Sequence, residues 1–199
     1  MDYYHIDIIL LVIISISYTK EYFHMKKQKE AIYFKKIACK GKYHDDNAIP
    51  DLIEYITLPL KTPSQLIYGV NVDMDDIAGS MVAVSEKYKK NKRLRLHHFV
   101  VSFRSEYFDE LDLLEEIQKA ICNRIGKEYQ IASAVHEDTD HPHIHFIFNA
   151  VSFINGYKYR AGKEEYWELV DRVETILTEY DLHPLIPVNY HPDKSDLHE

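Results

Sequence analysis

Hydrophobic and polar positions change period several times along this 199-residue chain, and each change predicts an element. Residues 31–40 read as a first strand. From residue 47 the apolar positions recur at helical spacing, with Ile49, Leu52, Ile53 and Ile56 on one face, Asn47 as the predicted cap and Pro50 in the first turn. Pro59 ends that helix near Thr57. Tyr55 falls about 100° from the centre of the apolar stripe, so its hydroxyl is free to leave the core. A second helix, residues 75–88, has Ile77, Met81, Val84 and Tyr88 as its stripe, and residues 96–103 form a continuous apolar run that reads as a buried strand.

The pattern returns to helical spacing over residues 109–125, with Leu113, Leu114, Ile117, Ala120, Ile121 and Ile125 inward and Gly126 as the stop. Strands at 129–136 and 143–151 follow, joined by a six-residue loop containing Asp, Thr and Pro that reads as a hairpin connection. A last helix over 164–180 turns Tyr166, Trp167, Val170, Val173 and Leu177 inward. Adjacent antiparallel strands alternating with helices predict an α+β fold, a mostly antiparallel central sheet with helices packed on it.

The two ends depart from this regularity. Residues 6–18 are strongly apolar but include Asp7 and fall short of the roughly 20 residues that span a bilayer. They also lack the basic flank and cleavage site of a signal peptide. Residues 1–25 therefore read as an atypical apolar extension, with Met25 as the expected functional start and a membrane or partner anchor as the alternative. No stable membrane insertion is expected. Residues 26–182 form one domain, long enough to bury a core, and the 183–199 tail, with three prolines, reads as irregular.

Composition alters this picture in two ways. Only two cysteines occur, Cys39 and Cys122, with no CxxC spacing, which points to a reducing cytoplasmic setting and away from a thiolate-closed structural zinc. The formal charge of −8 is unevenly spread. Residues 26–42 carry seven lysines, Lys35 and Lys36 among them, against one glutamate, and Lys89, Lys90, Lys92, Arg93 and Arg95 form a second basic run. Those seven named cations are the candidate phosphate contacts. There is no Gly-rich phosphate loop, so nothing points to nucleotide hydrolysis.

The densest chemistry lies in residues 136–149, which hold four of the chain's twelve histidines. Strand alternation puts His143, His145 and Ile147 on one face and Ile144, Phe146 and Phe148 on the other. Antiparallel pairing across the loop brings His136 beside His143. Three neutral imidazoles from two adjacent strands make a half-shell for a divalent cation with positions left open to water or substrate, which implies chemistry more than scaffolding. His141, before Pro142 in the loop, reads as solvated or DNA-facing.

His136-X-Asp138-X-X-His141-Pro142-His143-Ile144-His145, followed by Asn149, resembles the histidine motif of the relaxase/mobilisation nucleases, the HUH endonucleases that start conjugative DNA transfer. Residues 52–56 around Tyr55, residues 96–103 and residues 153–160 are also similar to family sequence, so the resemblance covers about residues 30–185. It implies an HUH endonuclease fold and a divalent ion, Mg²⁺ or Mn²⁺ in turnover, on His136, His143 and His145. It further implies attack on one DNA strand at an origin of transfer by a tyrosine, giving a rejoinable 5′-phosphotyrosyl link. Tyr55 is the implied nucleophile, with Tyr33, Tyr43 and Tyr68 as alternatives. Asp138 is expected to assist ionisation or to orient a ligand histidine, and Asn149 to fix a metal-bound water or substrate. Single-stranded DNA is the expected partner, with relaxosome accessory and coupling proteins. The competing readings are a rolling-circle replication initiator, a hydrolase using water, and a remnant that binds DNA or metal without cutting.

Overall fold

A computed structural model describes residues 32–37, 43–62, 66–104, 110–182 and 185–188. Strand β1 (Ile32–Lys36) is followed by α1 (Ala48–Ile56), β2 (Ile67–Val70), α2 (Ile77–Lys87) and β3 (Leu96–Ser102). Then come α3 (Leu111–Ile125), β4 (Ile131–His136), β5 (His143–Asn149), α4 (Lys163–Glu179) and β6 (Leu185–Pro187). The strands make one sheet in the order β2-β4-β5-β3-β1-β6. Every neighbouring pair is antiparallel except β1 with β6. The chain is thus α+β with a mostly antiparallel sheet.

Alternation along the strands sorts the side chains onto two faces. Ile144, Phe146 and Phe148 of β5 join Phe99 and Val101 of β3 and the inner sides of α3 and α4 in one core. Ile147, Leu96, Ala132 and Ala134 meet Ile49, Leu52, Ile53 and Ile56 of α1 and Met81 of α2 on the other face. Each such fully buried large apolar side chain stabilises the fold by about 1.5–3 kcal/mol. α1 and α2 therefore lie over the β4–β5 half of that face, while Tyr33 on β1 remains exposed. The histidines open onto this second face.

Several local expectations are corrected. Asn47 makes no side-chain cap; its own N–H instead bonds the Asp45 carboxylate at 3.1 Å, and its carbonyl accepts from Asp51. Asp76 does cap its helix, accepting from the Gly79 N–H at 2.9 Å. Gly126 ends α3 without a left-handed turn (φ −62). Its requirement is space, since a Cβ there would run into the Val70 side chain. Trp167, expected inside, is 40 % exposed, because the core is already filled by Tyr166, Leu169 and Val170. Leu185–Pro187, within the segment read as irregular, add the parallel edge strand: Leu185 is buried, and the Val188 N–H donates to the Phe34 carbonyl at 2.8 Å. Three residues are too few to show a period, and the prolines hid them. Residues 1–31, the start-site reading and Cys39 lie outside the described residues.

Candidate active site

β4 and β5 pair in the register that sets His136 directly against His143, with His145 two residues further on the same face. The donor atoms of His136, His143 and His145 all lie within 4.8 Å of one another. Each ring is anchored through one nitrogen. His136 Nε2–H donates to the Ile56 carbonyl at 2.9 Å, and His143 Nδ1–H donates to the His141 carbonyl at 3.0 Å. His145 Nδ1 lies 2.7 Å from His98 Nε2. The opposite nitrogens are left over: His136 Nδ1 and His145 Nε2 are buried with no hydrogen-bond partner.

Buried nitrogens without partners cost free energy unless something binds them. Burial pushes the pKa of His136 down despite the opposing Ile56 bond, and burial together with the neighbouring imidazoles pushes His145 down strongly. Both rings thus favour the neutral form, which a cation needs in a ligand. Three convergent imidazoles with ligand atoms this close suit a divalent transition ion.

α1 brings Tyr55 to the same place. Its ring centroid lies 6.0 Å from that of His136 and 5.8 Å from that of His145, and the side chain is 41 % exposed beside buried Ile53 and Ile56. The other tyrosines sit differently. Tyr68 is on the α3 side of the sheet and donates to Asn123, Tyr43 stands behind His98, and Tyr33 shares the site's face two strands away.

The turn after α1 supplies a residue not singled out in the sequence. Lys61 lies 4.5 Å from the Tyr55 ring centroid and 3.3 Å from the Asp138 carboxylate. Partial burial opposes ionisation of Asp138, but the Lys61 hydrogen bond and charge outweigh it and hold the carboxyl below its ordinary range. Asp138 Oδ1 is also 3.9 Å from His136 Nδ1. Thr62 pins this turn to the sheet, its hydroxyl donating to the Val135 carbonyl at 2.8 Å.

The remaining candidates divide. Asn149 is not at the histidine cluster: it is fully buried four residues beyond His145, donating to the Met81 carbonyl and to Gln130 and accepting from Ser85 and the Val151 N–H. Its work there is to tie α2 to the sheet. Lys35 pairs with Val100, which pairs with His145, so it stands on the histidine face about 10 Å across the strands. Lys36 alternates to the opposite face, where its charge reaches His97. Lys89, Lys90, Lys92 and Arg93 occupy the exposed turn before β3, and Arg95 is ion-paired with Asp46. Arg95, at the near end of that turn, is about 17 Å along the strand from the His145 row. His97 stacks on Phe148 on the far side of the sheet and serves the core. Cys122, buried against Ser133, has its thiol pushed up to about 12 by burial, so it is no nucleophile.

This arrangement coincides with a known family. The model for "Relaxase: MobA/VirD2-like, nuclease domain" matches residues 55–182. The chain belongs to the MobA/VirD2-like relaxases. Among curated relatives, Protein rlx of Staphylococcus aureus is 30% identical over 97 residues, covering 49% of this chain and 30% of its own length. Protein TraI of Escherichia coli is 34% identical over 106 residues, 50% of this chain and 14% of its own. The group II intron-interrupted relaxase LtrB of Lactococcus lactis is 24% identical over 179 residues, 76% of this chain and 31% of its own. The chain thus matches under a third of the length of each of these relatives. No helix among the described residues is long and apolar enough to cross a membrane.

Proposed function

We propose that this relaxase domain nicks and rejoins one DNA strand at an origin of transfer through a 5′-phosphotyrosyl link on Tyr55. One observation carries the reading: three imidazoles with ligand atoms within 4.8 Å of one another, two of them with a buried nitrogen that has no hydrogen-bond partner, converge beside the exposed phenol of Tyr55. His136 Nδ1, His143 Nε2 and His145 Nε2 would hold a divalent ion, Mg²⁺ or Mn²⁺ in turnover, which when bound polarises the scissile phosphate and neutralises its non-bridging oxygens.

The residues of the chain do the rest. Tyr55 Oη gives up its proton, for which its 41 % exposure provides a path to water, and attacks phosphorus. The new bond joins the phenolic oxygen to phosphorus as the bond from phosphorus to the 3′ oxygen breaks, and that oxygen leaves as a 3′-hydroxyl after taking up a proton. The phosphoester is conserved, so attack by a 3′-hydroxyl reverses the step and reseals the strand. Lys61 places a positive charge beside Tyr55, and Asp138, too weak a base when held below its ordinary pKa, positions Lys61 and faces His136. Lys35 holds the backbone on the open part of the sheet face, and the 89–95 turn contacts DNA further along. Lys36 is left out of that track by its position on the other face.

The setting proposed is the cytoplasm, with single-stranded origin DNA as substrate and relaxosome accessory and coupling proteins as partners. The test is a single-stranded oligonucleotide spanning the origin of transfer of the element that carries this gene, incubated with protein and Mn²⁺ and run on a denaturing gel. Wild type yields a product with a 3′-hydroxyl, while EDTA or His143→Ala abolishes cleavage. Binding without cleavage at saturating Mn²⁺ would instead identify a non-cleaving DNA-binding remnant.

A further inference from the structure

His145 differs from the other two histidines in what anchors it. His136 and His143 each donate to a backbone carbonyl, which can only accept, so their tautomers are fixed by the chain itself. Position 145 is mid-strand, where carbonyls are engaged in the ladder, and its Nδ1 meets a side chain instead. That side chain is His98, its diagonal neighbour on β3, at 2.7 Å. An imidazole can donate or accept, so this contact alone does not decide which nitrogen of His145 carries the proton.

Behind His98 stands Tyr43, its hydroxyl oxygen 2.9 Å from His98 Nδ1. His98 is buried, with 4 % exposure, and in a neutral imidazole one nitrogen donates while the other accepts. The chain of three residues then has two self-consistent proton arrangements. In one, Tyr43 donates to His98 Nδ1, His98 Nε2–H donates to His145 Nδ1, and the proton of His145 falls on Nε2, pointing a buried N–H into the site. In the other, His145 Nδ1–H donates to His98 Nε2 and His98 Nδ1–H donates to the Tyr43 oxygen. Only the second leaves His145 Nε2 with a lone pair aimed at the neighbouring histidines.

We propose that His98, backed by Tyr43, is a positioning residue that holds His145 in the Nδ1–H tautomer and so makes it the third ligand of the site. The role of His98 rests on the metal reading given above, but the tautomer itself can be read without any ion. The side-chain hydrogen bonds of His98 run to His145 and Tyr43, so its hold on the site passes through the His145 ring. Outer partners of this kind change metal affinity by about 10–100-fold when removed.

Two measurements on the full chain test it. In the metal-free protein, long-range ¹H–¹⁵N correlation spectra of the imidazoles report each tautomer. His145 is expected as Nδ1–H in wild type and as a mixture or Nε2–H in His98→Phe, which keeps a ring but offers no acceptor. Calorimetric titration with Mn²⁺ is expected to show about 10–100-fold weaker binding for His98→Phe, recovery to within about 3-fold for His98→Gln, whose side-chain oxygen restores an acceptor, and an intermediate loss for Tyr43→Phe. Thermal melting checks that each variant is folded, and if His98→Phe is not, the wild-type tautomer and the Gln and Tyr43 variants decide. His145 found as Nε2–H in wild type, or a folded His98→Gln that binds Mn²⁺ more than 10-fold weaker than wild type, would overturn the proposal. Absence of Mn²⁺ binding in wild type together with an Nδ1–H His145 would overturn the metal reading and leave the hold of His98 on the tautomer standing.

Discussion

Tyr55 sits where two separate constraints meet. Helical spacing puts it on the flank of α1, and the Ile56 carbonyl at the end of the same helix receives His136 Nε2–H, so the proposed nucleophile and the carbonyl that orients a proposed ligand are adjacent in sequence. A phenol held this way has little freedom to be replaced by another tyrosine. Lys61→Ala is expected to lower nicking by about 10–100-fold, by removing positive charge from beside the reacting phosphate, while Lys61→Arg recovers part of the loss. Single-turnover rates at saturating DNA separate this from weaker binding. His97, on the far side of the sheet, couples stability to acid. It is buried, and burial with the nearby Lys36 charge lowers its pKa to about 3. Its folded pKa lies below the unfolded value of 6.5, so the unfolded chain binds the proton first. The contribution is fully present above pH about 6.5 and declines as pH falls toward 3, by about 1.4 kcal/mol per pH unit. Urea unfolding of wild type and His97→Phe between pH 7 and 4 checks this: the slope should be shallower in the variant.

Elements were legible in the chain wherever a period ran long enough. α3 and α4 carry four or more turns of apolar spacing, and β3 and β5 seven residues of strand, so all four lie within two residues of their expected bounds. The histidine face of β5 was readable for the same reason, since alternation and a six-residue loop together fix register. What the chain could not show was which distant groups meet it. Lys61 reaches the site because Thr62 bonds β4, and His98 because β3 pairs with β5 in a register with His98 opposite Ile147. The signal for His98 lay in strand parity, since it falls on the same face as His145 once the two strands are paired. Asn149 misled because motif position implied chemistry while its four hydrogen bonds serve packing between α2 and the sheet. Asn149→Leu is therefore expected to lower stability by about 2 kcal/mol or more, through unsatisfied buried groups, with Mn²⁺ affinity of the folded protein unchanged. Denaturant unfolding beside calorimetry distinguishes this from a loss of the site.

Across the whole molecule, a chain of net charge −8 that acts on DNA as proposed has to hold the polyanion with local rather than overall charge. In the proposed DNA track Lys35 on the histidine face and the Lys89–Lys92 turn at the far end of β3 would be two separated footholds for phosphate, so DNA affinity should be strongly salt-dependent despite the acidic total. Replacing Lys89, Lys90 and Lys92 by Gln is expected to flatten the plot of log affinity against log salt by about 0.7 for each phosphate no longer neutralised, whereas Lys36→Gln leaves it unchanged. The measurement that bears most directly on the account is peptide mapping of protein incubated with Mn²⁺ and single-stranded origin DNA. A metal-dependent DNA adduct on Tyr55, absent in Tyr55→Phe, with nicking reduced on the order of 1,000-fold or more in that variant, is the expected result. Cleavage with no adduct, or an adduct on Tyr33 or Tyr43 that persists in Tyr55→Phe, would contradict it.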